Sequence, residues 1–239
     1  MMKRTIGAIL LGLSLVLTAC GAQGQQETPE AEAPAEEVTQ EEEVAQEETV
    51  TPAEETAQAE EATQAEESKA LVVYFSRTGE QYNVGVIEKG NTAIVAEMIA
   101  EETGADLFEI LPVEDYPYTY DALLEISQKE REENARPAYQ EGLPDLTQYD
   151  TIFIGSPVWW GDYPMIMYNF IESEDLANKT LVPFSTHGGS GLAGFDAKLA
   201  TACPDAQILT GLAIPGTDAQ NDTDGVRNKV REWLNGLDV

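Results

Sequence analysis

The chain has 239 residues, with 13 Lys and Arg against 44 Asp and Glu, a formal net charge of −31. That balance excludes a general nucleic-acid binder, which needs a basic face to neutralise phosphates; two cysteines exclude a disulfide-stapled scaffold, and one histidine excludes a His-rich metal centre. All 18 aromatic residues lie at Tyr74 or later, so the first third is not composed to pack a core.

Lys3 and Arg4 precede an apolar run from Ile6 to Leu17. The run is shorter than the ~20 residues that span a bilayer, and it reads as a secretory signal. It ends Leu17-Thr18-Ala19-Cys20, which resembles the lipobox of bacterial lipoproteins. The resemblance implies a signal peptide over residues 1–20, palmitate-type acylation of Cys20, and attachment to the outer face of a bacterial cell membrane. Two or more acyl chains, at ~0.8 kcal/mol per buried CH₂, hold such an anchor stably. Residues 21–69 carry sixteen Glu, one Lys and no aromatic residue, with Pro29, Pro34 and Pro52 breaking any long helix. This stretch predicts a disordered acidic tether, spanning roughly 35–40 Å as a coil.

Residues 70–239 have the size of one domain, and hold 28 acids against ten bases, a net charge of −18. Ala70 to Phe75 is a continuous apolar run, the mark of a buried parallel strand. A helix is predicted over Asn91 to Glu102, with Asn91 or Thr92 as N-cap and Gly104 as stop. Leu107 to Leu111 reads as the next strand, and Tyr120 to Glu133 as a charged helix with Leu123, Leu124 and Ile126 inward. Thr151 to Ile154 and Thr180 to Phe184 are further strands, although Pro183 is unusual for a central one. Pro164 to Glu172 and Leu192 to Ala202 read as helices. Gln207 to Ile214 is a fifth strand with a kink at Gly211, and Gly225 to Leu234 a final helix capped by Asp224. Alternating strands and helices predict right-handed crossovers, a parallel sheet and helices on both faces. Ligands in such sheets sit beyond the carboxyl ends of the strands, so the residues after each strand are the ones to read for chemistry.

After the first strand come Ser76-Arg77-Thr78-Gly79, and Gly90-Asn91-Thr92 open the first helix. Hydroxyls and free N–H groups at a helix start suit an anion, though the same residues serve as an ordinary turn and cap. After the third strand, Pro157-Val158-Trp159-Trp160-Gly161 puts two adjacent indoles on a loop. Indoles on a loop cover core, partner or ligand. After the fourth strand, Thr186-His187-Gly188-Gly189-Ser190-Gly191 combines close backbone approach with N–H donors. His187 reads either as a structural hydrogen-bonding residue or as a proton relay. Lone Cys203 reads as buried and without a redox role.

Taken together, Leu71-Val-Val-Tyr-Phe-Ser-Arg-Thr-Gly79, Ile154-Gly-Ser-Pro157 with Trp159-Trp160-Gly161, and Thr186-His-Gly-Gly-Ser-Gly191 resemble flavodoxin over the whole of residues 70–239. The resemblance implies a doubly wound α/β domain with a five-stranded parallel sheet of order 2-1-3-4-5, as the general description of flavodoxin-like sheets has it. It also implies FMN as cofactor. Ser76, Arg77, Thr78, Asn91 and Thr92 would then hold the phosphate. Pro157, Val158, Trp159, Trp160 and Gly161 would border the isoalloxazine, and Thr186 through Gly191 would bond its pyrimidine side. Gly161 resembles the loop glycine whose peptide reorients toward the reduced ring. One departure stands out: residues 80–90 separate Thr78-Gly79 from Asn91-Thr92, which flavodoxins keep adjacent; the insertion brings in Tyr82, to reach the flavin or shield the loop, and could build a pocket over the ring.

The resemblance leaves three functions open. One is an electron carrier for a redox partner protein or small acceptor. The second is an FMN-dependent NAD(P)H:quinone-type reductase, and the third a non-redox binding lipoprotein, since fold alone does not fix function. Export would put cytoplasmic NAD(P)H out of reach and so favours the carrier.

Overall fold

The computed structural model describes residues 69–237. The signal peptide, the lipobox Cys20 and all of the acidic tether but its last residue lie outside the described residues. Lys69 already belongs to the domain: its carbonyl accepts from Asp150 N (3.1 Å) and its ammonium pairs with Asp106 at 2.7 Å.

The apolar run at the start forms strand β1 (Ala70–Tyr74), from which Leu71 and Val73 face one side of the sheet and Val72 and Tyr74 the other. The insertion folds into an antiparallel hairpin, β2 (Gly79–Gln81) and β3 (Gly85–Ile87). Helix α1 (Asn91–Thr103) follows and ends on Gly104 in the left-handed region, as the stop signal predicts. Its N-cap is Gly90 rather than Asn91 or Thr92, and Gly90 carries no side chain to cap with. Ser76 does that work from outside the helix, its Oγ accepting from Ala93 N at 3.1 Å. Strand β4 (Asp106–Glu109) and helix α2 (Tyr120–Glu132) come next.

Strand β5 (Thr151–Pro157), helix α3 (Met165–Ser173), strand β6 (Thr180–His187) and helix α4 (Phe195–Ala202) complete the middle of the domain. The expected fifth strand is split into β7 (Gln207–Ile208) and β8 (Leu212–Pro215), both parallel to β6. Leu181 pairs with Ile208 and Phe184 with Leu212, so two residues of β6 face three on the other side. The physical reason is Pro183: it has no N–H to continue the ladder, and the extra residue is absorbed in a bulge. Gly211 sits in that bulge because a Cβ there would stand 2.7 Å from the Pro183 carbonyl. A short helix, α5 (Gly216–Asn221), was not foreseen, and α6 (Thr223–Leu234) closes the chain. Its cap is Asp222, which accepts from Gly225 N at 3.1 Å, and not Asp224, which lies inside the first turn.

The sheet order is β4-β1-β5-β6, with β7 and β8 sharing the outer position, all parallel; counted by position this is the expected 2-1-3-4-5. Helices α3 and α4 cover one face through Ile166, Met167, Phe170, Phe195 and Leu199. On the other face α1, α5 and α6 contribute Val95, Ile99, Ala219, Val226 and Val230. Both faces of the inner strands are therefore dry, which is why those strands read as unbroken apolar runs. Helix α2 lies at the carboxyl end of the strands, against the β2–β3 hairpin and α3.

Candidate functional site

Two of the three loops meet at the carboxyl rim of the sheet through hydrogen bonds, and α1 joins them. Val158 N donates to the Thr186 carbonyl at 2.9 Å, tying the loop after β5 to the end of β6. Thr92 Oγ1 and Thr186 Oγ1 lie 2.8 Å apart, linking α1 to β6. Both threonines are almost wholly buried, at 1% and 2% exposure, so this pair is the floor of the site rather than a surface contact.

Above that floor is a cleft of about 210 Å³. Asn91, Pro157, Val158, Trp159, Trp160, Thr186, His187 and Gly188, all singled out in the sequence, line it. The opposite wall is made by Gln81, Tyr82 and Val84 of the hairpin, where Tyr82 is the inserted residue singled out in the sequence, and by Tyr120, Leu123, Leu124 and Ser127 of α2, which sequence reasoning did not place here. The signal for α2 was the inward placement of Leu123 and Leu124, whose target the sequence could not name. Tyr82 lies over the glycine loop: a Cβ on Gly188 would come within 2.6 Å of its ring. Its ring also leans on Tyr120, centroids 5.8 Å apart.

The two indoles divide the labour. Trp159 packs edge-on against Phe75 (5.5 Å) and Tyr116 (5.0 Å), joining the core. Trp160 is 44% exposed and donates its Nε1–H to Ser127 Oγ at 3.1 Å. Trp159 and Asp162 exchange two backbone hydrogen bonds of 2.9 Å, closing a two-residue turn with Trp160 (φ 55°) and Gly161 (φ 73°) at its centre. Such turns require positive φ at both central residues, an easy state for Gly161 and a costly one for an indole. Lys198 Nζ braces the turn from α4, donating to the carbonyls of Gly161 (3.1 Å) and Ala193 (2.6 Å).

The remaining expected residues are distributed around the cleft. Ser76, Arg77 and Thr78 line a neighbouring hollow of about 220 Å³ beside Gly90, together with Glu88, Lys89, Glu97 and Glu109. Burial pushes the Glu109 carboxyl up. Arg77, expected at the phosphate, instead spends its guanidinium on the carbonyls of Thr78 and Glu80 (2.7 Å each) and of Tyr118 (3.4 Å), pinning the hairpin. Burial pushes its pKa down. Gly189 borders a separate hollow, while Gly161 faces open space and Ser190 is exposed. Gly191 accepts from Ser185 Oγ at 3.1 Å. His187 Nδ1 accepts from Gly189 N at 3.0 Å, which leaves the neutral ring's proton on Nε2. Burial lowers its pKa, opposed by the Asp218 carboxylate. Cys203 is buried and free, and burial raises its thiol pKa.

At the start of α1 the first turn holds no acid, and among the described residues the N–H groups of Asn91 and Thr92 find no acceptor. A helix start in that condition favours an anion. The rim thus sets a helix start free of acidic residues beside a cleft walled by indole, tyrosine and glycine backbone.

None of the curated proteins matches this chain. Solved structures do. A candidate flavoprotein from Bacteroides eggerthii is 32% identical, with 72% of this chain and 99% of that one covered, at a TM-score of 0.58. Another, from Bacteroides uniformis, is 33% identical over 70% of this chain and 98% of that one, at a TM-score of 0.57. A flavoprotein from Lactobacillus acidophilus, solved in complex with FMN, shares the fold at 22% identity, covering 65% of this chain and 97% of that one at a TM-score of 0.50. The family described as Flavodoxin matches residues 69–236, which is the whole of the sheet and its rim. With strand order, rim geometry and this match in agreement, the chain belongs to the flavodoxin family.

Proposed function

We propose that this protein binds FMN at the carboxyl rim and carries electrons, held on the outer face of the membrane by a lipid on Cys20. The observation that carries the reading is the joining of α1, β5 and β6 at one rim through Thr92, Val158 and Thr186. FMN is the cofactor of the family, and the residues present fit it. The N–H groups of Asn91 and Thr92 would receive its phosphate, with no acid in the first turn to oppose them. The cleft between Trp160, Tyr82, His187 and Gly188 would receive its ring.

Bound FMN supplies reversible one- and two-electron chemistry that the side chains lack. The chain's own part is to bind, orient and shield. Trp159 and Trp160 keep water from one side of the cleft, and the hairpin covers the other. His187, neutral at pH 7 because its pKa is lowered by burial, offers Nε2–H as a donor. The acidic domain suits a basic redox partner or a small acceptor. Location outside the cytoplasm favours a carrier over an NAD(P)H-dependent reductase.

Titration of the purified full-length chain with FMN tests the cofactor: quenching of flavin fluorescence at one equivalent is expected, and no uptake overturns the reading. Labelled palmitate should enter the wild-type chain in cells and be lost from Cys20→Ala; label that persists removes the anchor from the proposal.

A further inference from the structure

Trp160 separates two spaces. On one side is the cleft of about 210 Å³; on the other is a shallow groove of about 360 Å³ lined by Gln128, Arg131, Glu132 and the same indole. The cleft is smaller than the ~300–1,000 Å³ usual for small-molecule sites. Turning the indole aside would join it to the groove. The backbone beneath the indole is held at φ 55°, inside the turn closed by Trp159 and Asp162. Of the five non-glycine residues with positive φ among the described residues, three are Asn, which tolerates it, and Trp160 is the one aromatic. A bulky residue stays in this state only where its surroundings over-determine it.

What holds the indole is on α2. Ser127 is buried, its Oγ donating to the Leu123 carbonyl (2.7 Å) and accepting from Trp160 Nε1 (3.1 Å). A serine in mid-helix is a poor choice for the helix itself, since alanine is the better helix former. Its hydroxyl is the sole hydrogen-bond partner of the indole N–H among the described residues.

We propose that Ser127 is a positioning residue, a latch that holds Trp160 as the gate between the cleft and the outer groove. The proposal rests on the reading of the cleft as the cofactor site, and α2 thereby becomes part of that site. Releasing the latch frees the indole to change rotamer, so the gate opens with the turn's backbone and the core unchanged.

The test is a double-mutant cycle on the full chain with Ser127→Ala and Trp160→Phe, which keeps a ring but removes its N–H. Without FMN, Ser127→Ala should raise acrylamide quenching of tryptophan emission about twofold. It should leave quenching unchanged in the Trp160→Phe background, where Trp159 and Trp233 alone report. With FMN, Ser127→Ala should weaken binding about fivefold, the worth of one lost hydrogen bond, and raise both association and dissociation rates. Ser127→Thr, which keeps the hydroxyl, should restore wild-type values. An effect of Ser127→Ala that persists in the Trp160→Phe background, or no effect in wild type, overturns the latch. If wild type takes up no FMN, the functional reading fails, while the quenching cycle still decides the latch.

Discussion

The two ends of the sheet carry depressions of opposite character. The one at the amino ends of β5 and β6 is the larger, about 660 Å³, and is lined by the loop from Tyr139 to Thr147 with Glu174, Asp175, Ala177 and Lys179. Its one ammonium is already engaged, Lys179 donating to the carbonyls of Leu146 (2.7 Å) and Tyr149 (2.8 Å). The aromatic cleft at the carboxyl end is only about 210 Å³, yet its walls are indole and tyrosine and it rests on a buried hydroxyl pair. Size thus ranks these two depressions one way and chemistry the other. Parallel strands explain why: helix starts, with their unpaired N–H groups, follow the carboxyl ends.

Filling each depression in turn is the strongest way to break this contrast. Leu124→Trp should weaken FMN binding on the order of 10–100-fold by occupying the cleft. Ala177→Trp, at the larger depression, should change it less than about twofold. Equal losses, measured by fluorescence titration, would make the amino end the site after all.

The floor makes a second contrast, between one lost hydroxyl and two. Thr186→Val leaves the Thr92 hydroxyl buried and unpaired, and should cost about 1–3 kcal/mol in urea unfolding. Thr92→Val with Thr186→Val removes the pair together and should recover most of that loss. A double variant as unstable as the sum of its parts would show that the pair is no unit.

The smallest expected effect concerns His187. Its folded pKa is lowered from 6.5, so the unfolded chain binds the proton more readily. Its contribution to stability is therefore complete above pH 6.5 and is lost as pH falls through the lowered folded value. Over pH 7.5 to 5, wild type should lose more stability than His187→Gln, the excess being the histidine's share. Glu102 and Glu172 are lowered and lie below this window, whereas burial raises Glu109 and Glu130 toward it in both chains, so the difference between the two chains is what reports the histidine. A slope common to both chains would assign it elsewhere.

Much of the fold was legible because periodicity is local. Leu71 to Phe75 declares a buried strand, and Gly104 a helix end, without reference to anything distant. Apart from the cap of α6, which shifted by two residues, the main misreadings involve partners farther along the chain. Ser76 caps α1 across fourteen intervening residues, so Gly90 needs no side chain of its own. The fifth strand breaks opposite Pro183, a residue on its neighbour. The sequence marked the insertion and its Tyr82 but not its shape; pinned by Arg77 and by Glu80, which accepts from Tyr120 N at 2.8 Å, it is a hairpin that forms one wall of the cleft.

The amino-acid sequence alone determined which segments become strands and helices, that the sheet is parallel, and which loops follow its carboxyl ends. These follow from residue spacing and from the cost of exposing apolar surface. Only the tertiary structure decided that α2 and the hairpin close the cleft, that Trp159 belongs to the core while Trp160 stands at its edge, and that Ser127 holds that indole. Those choices depend on which hydrogen-bonding groups meet in space, and one residue's neighbours along the chain do not specify them.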